Sequence, residues 1–197
     1  MSREISFLPE KSSCVYTQCY CEENVWKMCE CVKLHQPDQL DRCHAVFISN
    51  TNKTVPLWMQ VAASNPTKPV VWDYHVIFVY KDCVGCLVYD LDTVLPFPYT
   101  FRKYASQTFR SDLILLPDYH RLFRVVPARV YLEQFASDRS HMLASGEYQM
   151  EPPDYPCIQT TECSNNLADF ISMKEDEGCG EVMNLVQFLH TFSLPHR

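Results

Sequence analysis

The sequence has no apolar run that could cross a membrane. Its longest apolar stretches, residues 76–80 and 113–116, fall far short of the about 18 residues that a membrane-spanning helix requires. Residues 1–11 are interrupted by charged side chains and lack the apolar core of a secretory signal. We therefore expect no membrane partner and a location in the cytoplasm, with the nucleus as a second compartment.

Basic residues are too few for a phosphate-binding surface. Lys and Arg number 17 against 24 Asp and Glu, which gives a formal charge of -7, and the pI is near 5.4. Nucleic-acid binding depends largely on clustered Lys and Arg, so we expect no nucleic-acid partner. A cationic group on a substrate would be favoured instead.

Glycine is also scarce, with 4 residues against 13 prolines in a chain of 197. Apolar residues make up 47%, which is typical of a globular protein, and the length suits one domain. We expect a loose N-terminal leader over residues 1–13 and a single domain over residues 14–197. We also expect a monomer.

The eleven cysteines do not indicate a disulfide framework, because their number is odd and the chain is neither small nor exported. Free thiols are the better expectation. Cys83 and Cys86 have the spacing of half a zinc site, but a second pair with that spacing is missing. The sequence therefore predicts no metal and no cofactor.

Hydrophobic periodicity predicts a helix over residues 21–35 and a strong strand over residues 70–80. Residues 45–49, 55–60, 87–91 and 123–126 are further predicted strands, and residues 81–86 form a turn. Short helices are predicted over residues 128–135, 166–171 and 182–192. Strands flanked by helices at both ends indicate an α+β domain with a mainly antiparallel sheet.

Cys21 begins the first predicted helix, where a cysteine nucleophile gains from the positive end of the helix dipole. The carboxylates of Glu22 and Glu23 follow at once and oppose thiolate formation. A positive partner, such as a protonated histidine, is therefore required. Taken alone, Cys21 is more often a buried apolar cysteine.

His75 lies within the strong strand, and alternation places it on the face shared with Asp73. If residues 70–80 and 87–91 form a hairpin centred between residues 82 and 83, Asp90 lies opposite His75. A slip of two residues would place Asp92 there instead. A carboxylate beside the ring fixes its tautomer and stabilises the imidazolium, completing a nucleophile, base and orienter set. Asp90, Asp92 and Asp73 all have the required parity.

Four sequence blocks resemble the signature of a known family. They are CYCEEN from Cys19, WDYHV from Trp72, YDLDTVLPFP from Tyr89 and FASDRSHM from Phe135. Together they resemble the protein N-terminal glutamine amidohydrolases, a family marked by a WDYHV motif, from residue 14 to about residue 173.

The resemblance implies a catalytic triad of Cys21, His75 and Asp90 on a papain-like or transglutaminase-like α+β fold, so the single domain expected over residues 14–197 would be catalytic. It also implies hydrolytic deamidation of N-terminal glutamine to glutamate, with ammonia released, in the Arg/N-degron pathway. The partners would be proteins with a free N-terminal glutamine and, downstream, an arginyltransferase. No cofactor is implied.

Two other functions stay open at this point. The same Cys, His and Asp order also suits a cysteine protease or a transglutaminase-like acyl transferase, and a non-enzymatic cysteine-rich binding module is the third possibility. If the family reaction applies, a carboxylate must recognise the free α-ammonium group. The candidates for that recognition are Asp73, Glu22, Glu23 and Asp138, which the sequence does not rank.

Overall fold

The computed structural model describes residues 8–65 and 67–193, and its main element is a six-stranded antiparallel sheet. Numbered along the chain and given in order across the sheet, the strands are β10 (Glu181–Asn184), β7 (Leu122–Pro127), β1 (Cys43–Ser49), β4 (His75–Lys81), β5 (Cys86–Tyr89) and β6 (Tyr99–Thr100). Two small antiparallel pairs join β2 (Val55–Leu57) to β3 (Val70–Trp72) and β8 (Leu143–Ala144) to β9 (Glu147–Tyr148).

Helices cover both faces of the sheet. One face packs against α1 (Cys21–His35), α3 (Ala128–Gln134) and α4 (Leu167–Ile171), and the other against α2 (Phe101–Thr108) and α5 (Leu185–Phe192). In β4, Val76 and Phe78 face the α1 side, whereas Ile77 and Val79 face the α2 side, as strand alternation requires. The predicted α+β class with a mainly antiparallel sheet is confirmed.

The helix α1 has the predicted bounds, Cys21–His35. Its apolar residues Val25, Met28, Cys29 and Val32 recur at helical spacing and are buried against the sheet. A 3-10 helix, Pro37–Arg42, follows directly, because proline suits the first turn of a new helix but cannot continue the preceding one. Both the start of α1 and the orientation of its buried face therefore follow from local sequence.

The predicted strand over residues 70–80 is wrong in one respect, since it is interrupted at Asp73 and Tyr74. Residues before the break pair with β2, and His75 begins β4 instead of lying in the middle of a strand. Local hydrogen bonds replace the ladder there: the Tyr74 N–H donates to the Asp73 carboxylate at 2.9 Å, and Ser49 Oγ donates to the Asp73 carbonyl at 2.7 Å.

The hairpin register also differs from the prediction by two residues. Val79 pairs with Val88 and Phe78 with Tyr89, so the turn is centred between residues 83 and 84. Continued past the end of β5, this register would place Asp92, not Asp90, directly across from His75. The turn is held by Asp82, whose carboxylate accepts the N–H groups of Val84 and Gly85, both at 2.8 Å.

Two further segments differ from the sequence expectation. Helix α2 lies in a stretch for which no helix was predicted, and Val182 belongs to β10, with the final helix beginning only at Leu185. Asn184 ends the strand and begins the helix through a capping box with Gln187. The packing of Phe188 and Phe192 against α2 fixes this helix.

The expected leader falls partly outside the described residues, which begin at residue 8. Of its remaining part, Leu8 is buried in the core on the α1 side, and Lys11 donates a 2.7 Å hydrogen bond to the Thr93 carbonyl. In the described part of the chain, none of the helices has the length and apolarity that crossing a bilayer demands.

Candidate active site

His75 and Asp90 form a hydrogen-bonded pair that is almost fully buried. The distance from His75 Nε2 to Asp90 Oδ1 is 3.0 Å, and each residue is only 1% exposed. Asp90 approaches His75 along the diagonal of the hairpin, because the chain turns after β5 ends at Tyr89. The carboxylate predicted to contact the histidine is thus the one that does so, although the register that predicted it was wrong.

Other groups hold the Asp90 carboxylate in place. Tyr104 Oη donates to Oδ2 at 2.7 Å, and the backbone N–H of Asp92 donates to Oδ1 at 2.9 Å. Gln60 Nε2 lies 3.5 Å from Oδ2. A carboxylate with this many donors is stabilised in its charged form and cannot rotate freely.

The charges of the pair support each other despite burial. Burial by itself lowers the pKa of His75, but the Asp90 carboxylate outweighs it through its charge and hydrogen bond, so the pKa lies above its ordinary value. Burial likewise raises the pKa of Asp90, yet His75 and the donors around the carboxylate lower it overall. The arrangement therefore favours an imidazolium facing an aspartate.

The orientation of the ring is fixed on two sides. Trp72 stacks on His75 with ring centroids 5.6 Å apart and an interplanar angle of 19°. Because Nε2 is engaged with Asp90, Nδ1 is the nitrogen that remains to exchange a proton with another group. Trp72 and His75 lie on either side of the strand break, which allows the indole to fold back over the ring.

Cys21 is the first residue of α1 and is half-buried beside the start of β4. The backbone N–H of Val76, the residue after His75, forms a hydrogen bond to the sulfur that lowers the pKa of Cys21. The charges of Glu22 and Asp92 influence both the Cys21 thiol and the His75 ring. Cys21 and the His75–Asp90 pair therefore share one neighbourhood, but among the described residues no hydrogen bond joins the sulfur to the ring.

Cys21 is a protonated thiol in this arrangement. Burial raises the pKa of Cys21 well above its ordinary value, Glu22 and Asp92 add to the rise, and the Val76 N–H only partly opposes it. The side-chain hydrogen bond of the thiol goes to Glu22 Oε2 at 3.7 Å. The pKa of Cys21 is thus raised and not lowered as expected for a nucleophile at a helix start, and the opposing effect expected of Glu22 is confirmed.

The two glutamates that follow Cys21 are both fully buried, but they differ in their partners. Glu23 forms a bidentate ion pair with Arg139, with N–O distances of 2.9 and 2.8 Å. Glu22 accepts a 2.9 Å hydrogen bond from Tyr74 Oη and lies 3.4 Å from His141 Nε2. The negative charge of Glu23 is therefore balanced by a fixed cation, whereas that of Glu22 is not.

The alternative orienters lie nearby without bonding to the ring. Asp92 is half-buried and accepts a 2.7 Å hydrogen bond from Tyr16, and Asp73 is exposed. Among the described residues, the ligand atoms of His75, Asp90 and Asp92 lie within 4.8 Å of one another, which is compact enough for a metal ion. Both carboxylates already accept hydrogen bonds, so this group is accounted for without an ion; the absence of a metal and of a cofactor stays a prediction.

Comparison with known proteins decides the family. The sequence profile described as N-terminal glutamine amidase matches residues 16–192. The protein named protein N-terminal glutamine amidohydrolase from Drosophila melanogaster is 50% identical over 191 residues, covering 95% of this chain and 93% of that one. The proteins of that name from Drosophila ananassae and Drosophila willistoni are also 50% identical, covering 93% and 91% of their own lengths.

The chain belongs to the N-terminal glutamine amidase family. The matched span includes all three candidate residues, Cys21, His75 and Asp90, together with the first turn of α1. Within this member of the family, the sequence also placed Glu22 and Glu23 correctly at that turn, without indicating that both carboxylates are buried.

Several residues of the candidate site in this glutamine amidase family member were missed from sequence. Tyr104 lies on the unpredicted helix α2, and Gln60 follows a short strand, so neither carried a recognisable pattern. His141 lies within one of the family blocks, which was the only signal available for it. Cys83 and Cys86 lie in the β4–β5 turn region, with Cys83 exposed and Cys86 buried, and belong to no potential metal group among the described residues.

Proposed function

We propose that the protein hydrolyses the side-chain amide of an N-terminal glutamine to glutamate and releases ammonia. The observation that carries the proposal is a buried His75–Asp90 pair beside Cys21 at the start of α1, in a chain half identical to proteins named for this reaction. A thiol, an imidazole and an orienting carboxylate are the groups that nucleophilic attack on an amide requires.

In the proposed mechanism, His75 acts in its neutral form, above its raised pKa, and first removes the proton of the Cys21 thiol, because the raised pKa of that thiol disfavours a free thiolate. The sulfur attacks the amide carbon, and the C–N bond then breaks as His75 returns the proton to the departing ammonia. A thioester remains. His75 next removes a proton from water, which attacks the thioester and regenerates the thiol together with glutamate. General acid and base assistance of this kind contributes about 10²- to 10⁴-fold.

When the sulfur attacks, negative charge develops on the amide oxygen, and the start of α1 offers a hydrogen-bond donor for it. The first intrahelical bond runs from the Asn24 N–H to the Tyr20 carbonyl at 2.9 Å, so the N–H groups of the preceding helical residues have no acceptor within the helix. The Cys21 N–H is one of these. Losing one such donor typically costs about 10²- to 10³-fold in rate.

The wider proposal covers the scaffold and the cellular role. Residues 14–197 act as one catalytic domain with a papain-like or transglutaminase-like arrangement, in which a cysteine-bearing helix packs on a sheet carrying histidine and aspartate. The protein works as a monomer in the cytoplasm, with the nucleus as the second compartment, and all eleven cysteines are free thiols, which suits a reducing environment. Its product would pass to an arginyltransferase of the Arg/N-degron pathway.

The test is mass spectrometry of a peptide that begins with glutamine, together with an assay for free ammonia. Deamidation raises the peptide mass by about 1 Da without shortening the chain, since an amide becomes an acid. Cys21→Ala and His75→Ala should abolish ammonia release while leaving the circular dichroism spectrum unchanged.

Cys31→Ala provides a matched control, because Cys31 is a half-buried cysteine on the same helix, about 15 Å along its axis from Cys21. Near-normal ammonia release from either active-site variant would rule out the triad. Chain cleavage or amine incorporation in place of ammonia release would favour the protease or acyl transferase, and no reaction at all would favour a binding module.

A further inference from the structure

The four carboxylates considered from sequence for recognition of the α-ammonium group differ in how available they are. Glu23 is committed to the buried pair with Arg139, and an ammonium group would have to displace a bidentate guanidinium. Asp138 is exposed and accepts hydrogen bonds from the Ser140 N–H at 2.9 Å and from Asn165 at 2.7 Å. Glu23 therefore has no oxygen free for an ammonium group, and Asp138 and Asp73 are exposed carboxylates that no buried pocket encloses.

Glu22, by contrast, is buried and has a carboxylate oxygen available. Its side chain is fully buried, and Oε2 accepts the hydrogen bond of Tyr74, but Oε1 has no hydrogen-bond partner among the residues that the structure describes. His141 Nε2 approaches Oε1 to 3.4 Å without the geometry of a hydrogen bond. A buried carboxylate oxygen that lacks a donor is costly in a folded protein, and it is satisfied readily by a cation.

The position of Glu22 also suits the length of a glutamine side chain. Four bonds separate the α-nitrogen of glutamine from its amide carbon, a span of roughly 4 to 5 Å. Glu22 Oε2 lies 3.7 Å from Cys21 Sγ. An ammonium group bound at this carboxylate can therefore present its own amide carbon to the sulfur. The shorter asparagine would stop about 1.5 Å short, and errors of about 1 Å can cost about 10²-fold in rate.

We infer that Glu22 is the residue that binds the α-ammonium group of the substrate, and that His141 lies against the same carboxylate until the substrate replaces it. This inference rests on the proposed function and adds a basis for its restriction to the first residue of a protein. An internal glutamine has no ammonium group to offer and would leave Glu22 unpaired.

The location of His141 would allow its side chain to move away from Glu22. It lies in the 3-10 turn Ser140–Met142, which leads into the exposed hairpin of β8 and β9, and its side chain is 24% exposed. Its other close neighbour is Tyr20, which it meets edge to face with ring centroids 6.1 Å apart. Among the described residues, its ring makes no hydrogen bond that movement would break.

The negative charge of Glu22 has a second effect on the reaction, through the pKa of Cys21. The Glu22 carboxylate contributes to the raised pKa of Cys21, after burial itself. A bound ammonium group would offset that charge, so the correct substrate would make its own nucleophile easier to ionise. A peptide without the ammonium group would leave the thiol in its less reactive form.

The experiment compares two substrates that differ only in this group: a peptide beginning with glutamine, and its des-amino analogue capped with 4-carbamoylbutanoyl. For the wild type, kcat/KM should be higher for the first by on the order of 10²-fold or more, as expected when one partner of a buried charge pair is removed. Glu22→Gln should bring the two values to within about tenfold of each other, and the conservative Glu22→Asp should keep most of the preference.

Asp73→Asn and Asp92→Asn are the rival variants, because both carboxylates lie in the same neighbourhood of Cys21. A preference that survives in Glu22→Gln, or that collapses in a rival variant instead, overturns the inference. Failure of the wild type to release ammonia from either substrate overturns the proposed function instead.

A second measurement separates recognition from a structural role. Alkylation of Cys21 by neutral iodoacetamide, followed by peptide mass spectrometry across pH, reports the ionisation of this thiol without any need for an ammonium group. Glu22→Gln should alkylate at lower pH than the wild type, while its turnover of the ammonium-bearing substrate falls. A variant that merely unfolds or loosens would not change its preference between the two substrates in this way, and an unshifted alkylation profile counts against the inference.

Discussion

Tyr104 and His75 divide the two oxygens of Asp90 between them. Tyr104 Oη donates to Oδ2 at 2.7 Å, and His75 Nε2 lies 3.0 Å from Oδ1. The phenol is supplied by α2, on the face of the sheet opposite α1, so the Asp90 carboxylate connects the candidate site to the apolar residues packed between the sheet and α2. The position of the histidine is therefore determined from both sides of the sheet.

The first prediction concerns pH. Because the pKa of His75 is raised, the ring stays protonated, and cannot accept the Cys21 proton, up to a pH above its ordinary 6.5. Activity should therefore fall on the acid side around that raised pKa. Asp90→Asn removes the charge that raises it, so the acid limb of kcat/KM should move to lower pH while the maximum falls by on the order of 10²-fold.

Tyr104→Phe is the control for that profile. It deletes one hydrogen bond to Asp90 but leaves the negative charge beside His75, so the acid limb should move less than in Asp90→Asn. Full pH–rate profiles of both variants make the comparison. An acid limb that stays in place in Asp90→Asn would show that another group controls it.

The second prediction concerns the buried ion pair between Glu23 and Arg139, whose side chains are 0% and 5% exposed. Arg139→Met leaves the Glu23 charge buried and unpaired, and should lower the free energy of unfolding by about 3 to 5 kcal/mol. The double variant with Glu23→Gln should lose clearly less than the sum of the single losses, as urea denaturation would measure.

Arg129→Met is its matched control, since Arg129 pairs with Asp41 at the surface and both side chains are more than half exposed. That substitution should change stability little, because solvent screens exposed pairs. Equal losses from Arg139→Met and Arg129→Met would contradict the importance assigned to burial.

The third prediction concerns Gly180, whose φ is +87° and whose missing Cβ would overlap the backbone carbonyl of Val125. Gly180→Ala should lower the midpoint of thermal unfolding, because it adds both strain and a clash with β7. Gly85→Ala is the control: a Cβ at that position meets nothing within 4 Å, and its φ is not in the left-handed region. That variant should be neutral or slightly stabilised by up to about 1 kcal/mol. A Gly180→Ala protein with the same midpoint of thermal unfolding as the wild type would contradict this prediction.

The local sequence pattern was sufficient to predict the longer helices and strands. The bounds of α1 follow from its helical period and from the proline after it, and the run of β-branched and aromatic residues predicted β4 but not the break before His75. Helix α2 has only eight residues and is held by Phe101 and Tyr104 in the core, so its formation depends on packing partners distant in sequence. Short helices of this kind have little stability of their own, which is why sequence did not reveal it.

The β4–β5 hairpin shows most clearly what could be read from the sequence and what required the structure. Parity along the strands limited the partners of His75 to a few aspartates, because side chains alternate strictly between faces. It could not choose among them, since register depends on the turn, and the turn depends on how Asp82 bonds the backbone after it.

The sequence by itself determined the family and the α+β class, and it indicated a cysteine, a histidine and a few carboxylates as the candidate reactive set. Only the tertiary structure decided which carboxylate contacts the ring, which glutamate is neutralised by Arg139, and which one is left without a full set of partners. The reason is physical: residue type fixes what a group can donate, accept or ionise. Whether it does so depends on burial and on neighbours brought together from distant parts of the chain.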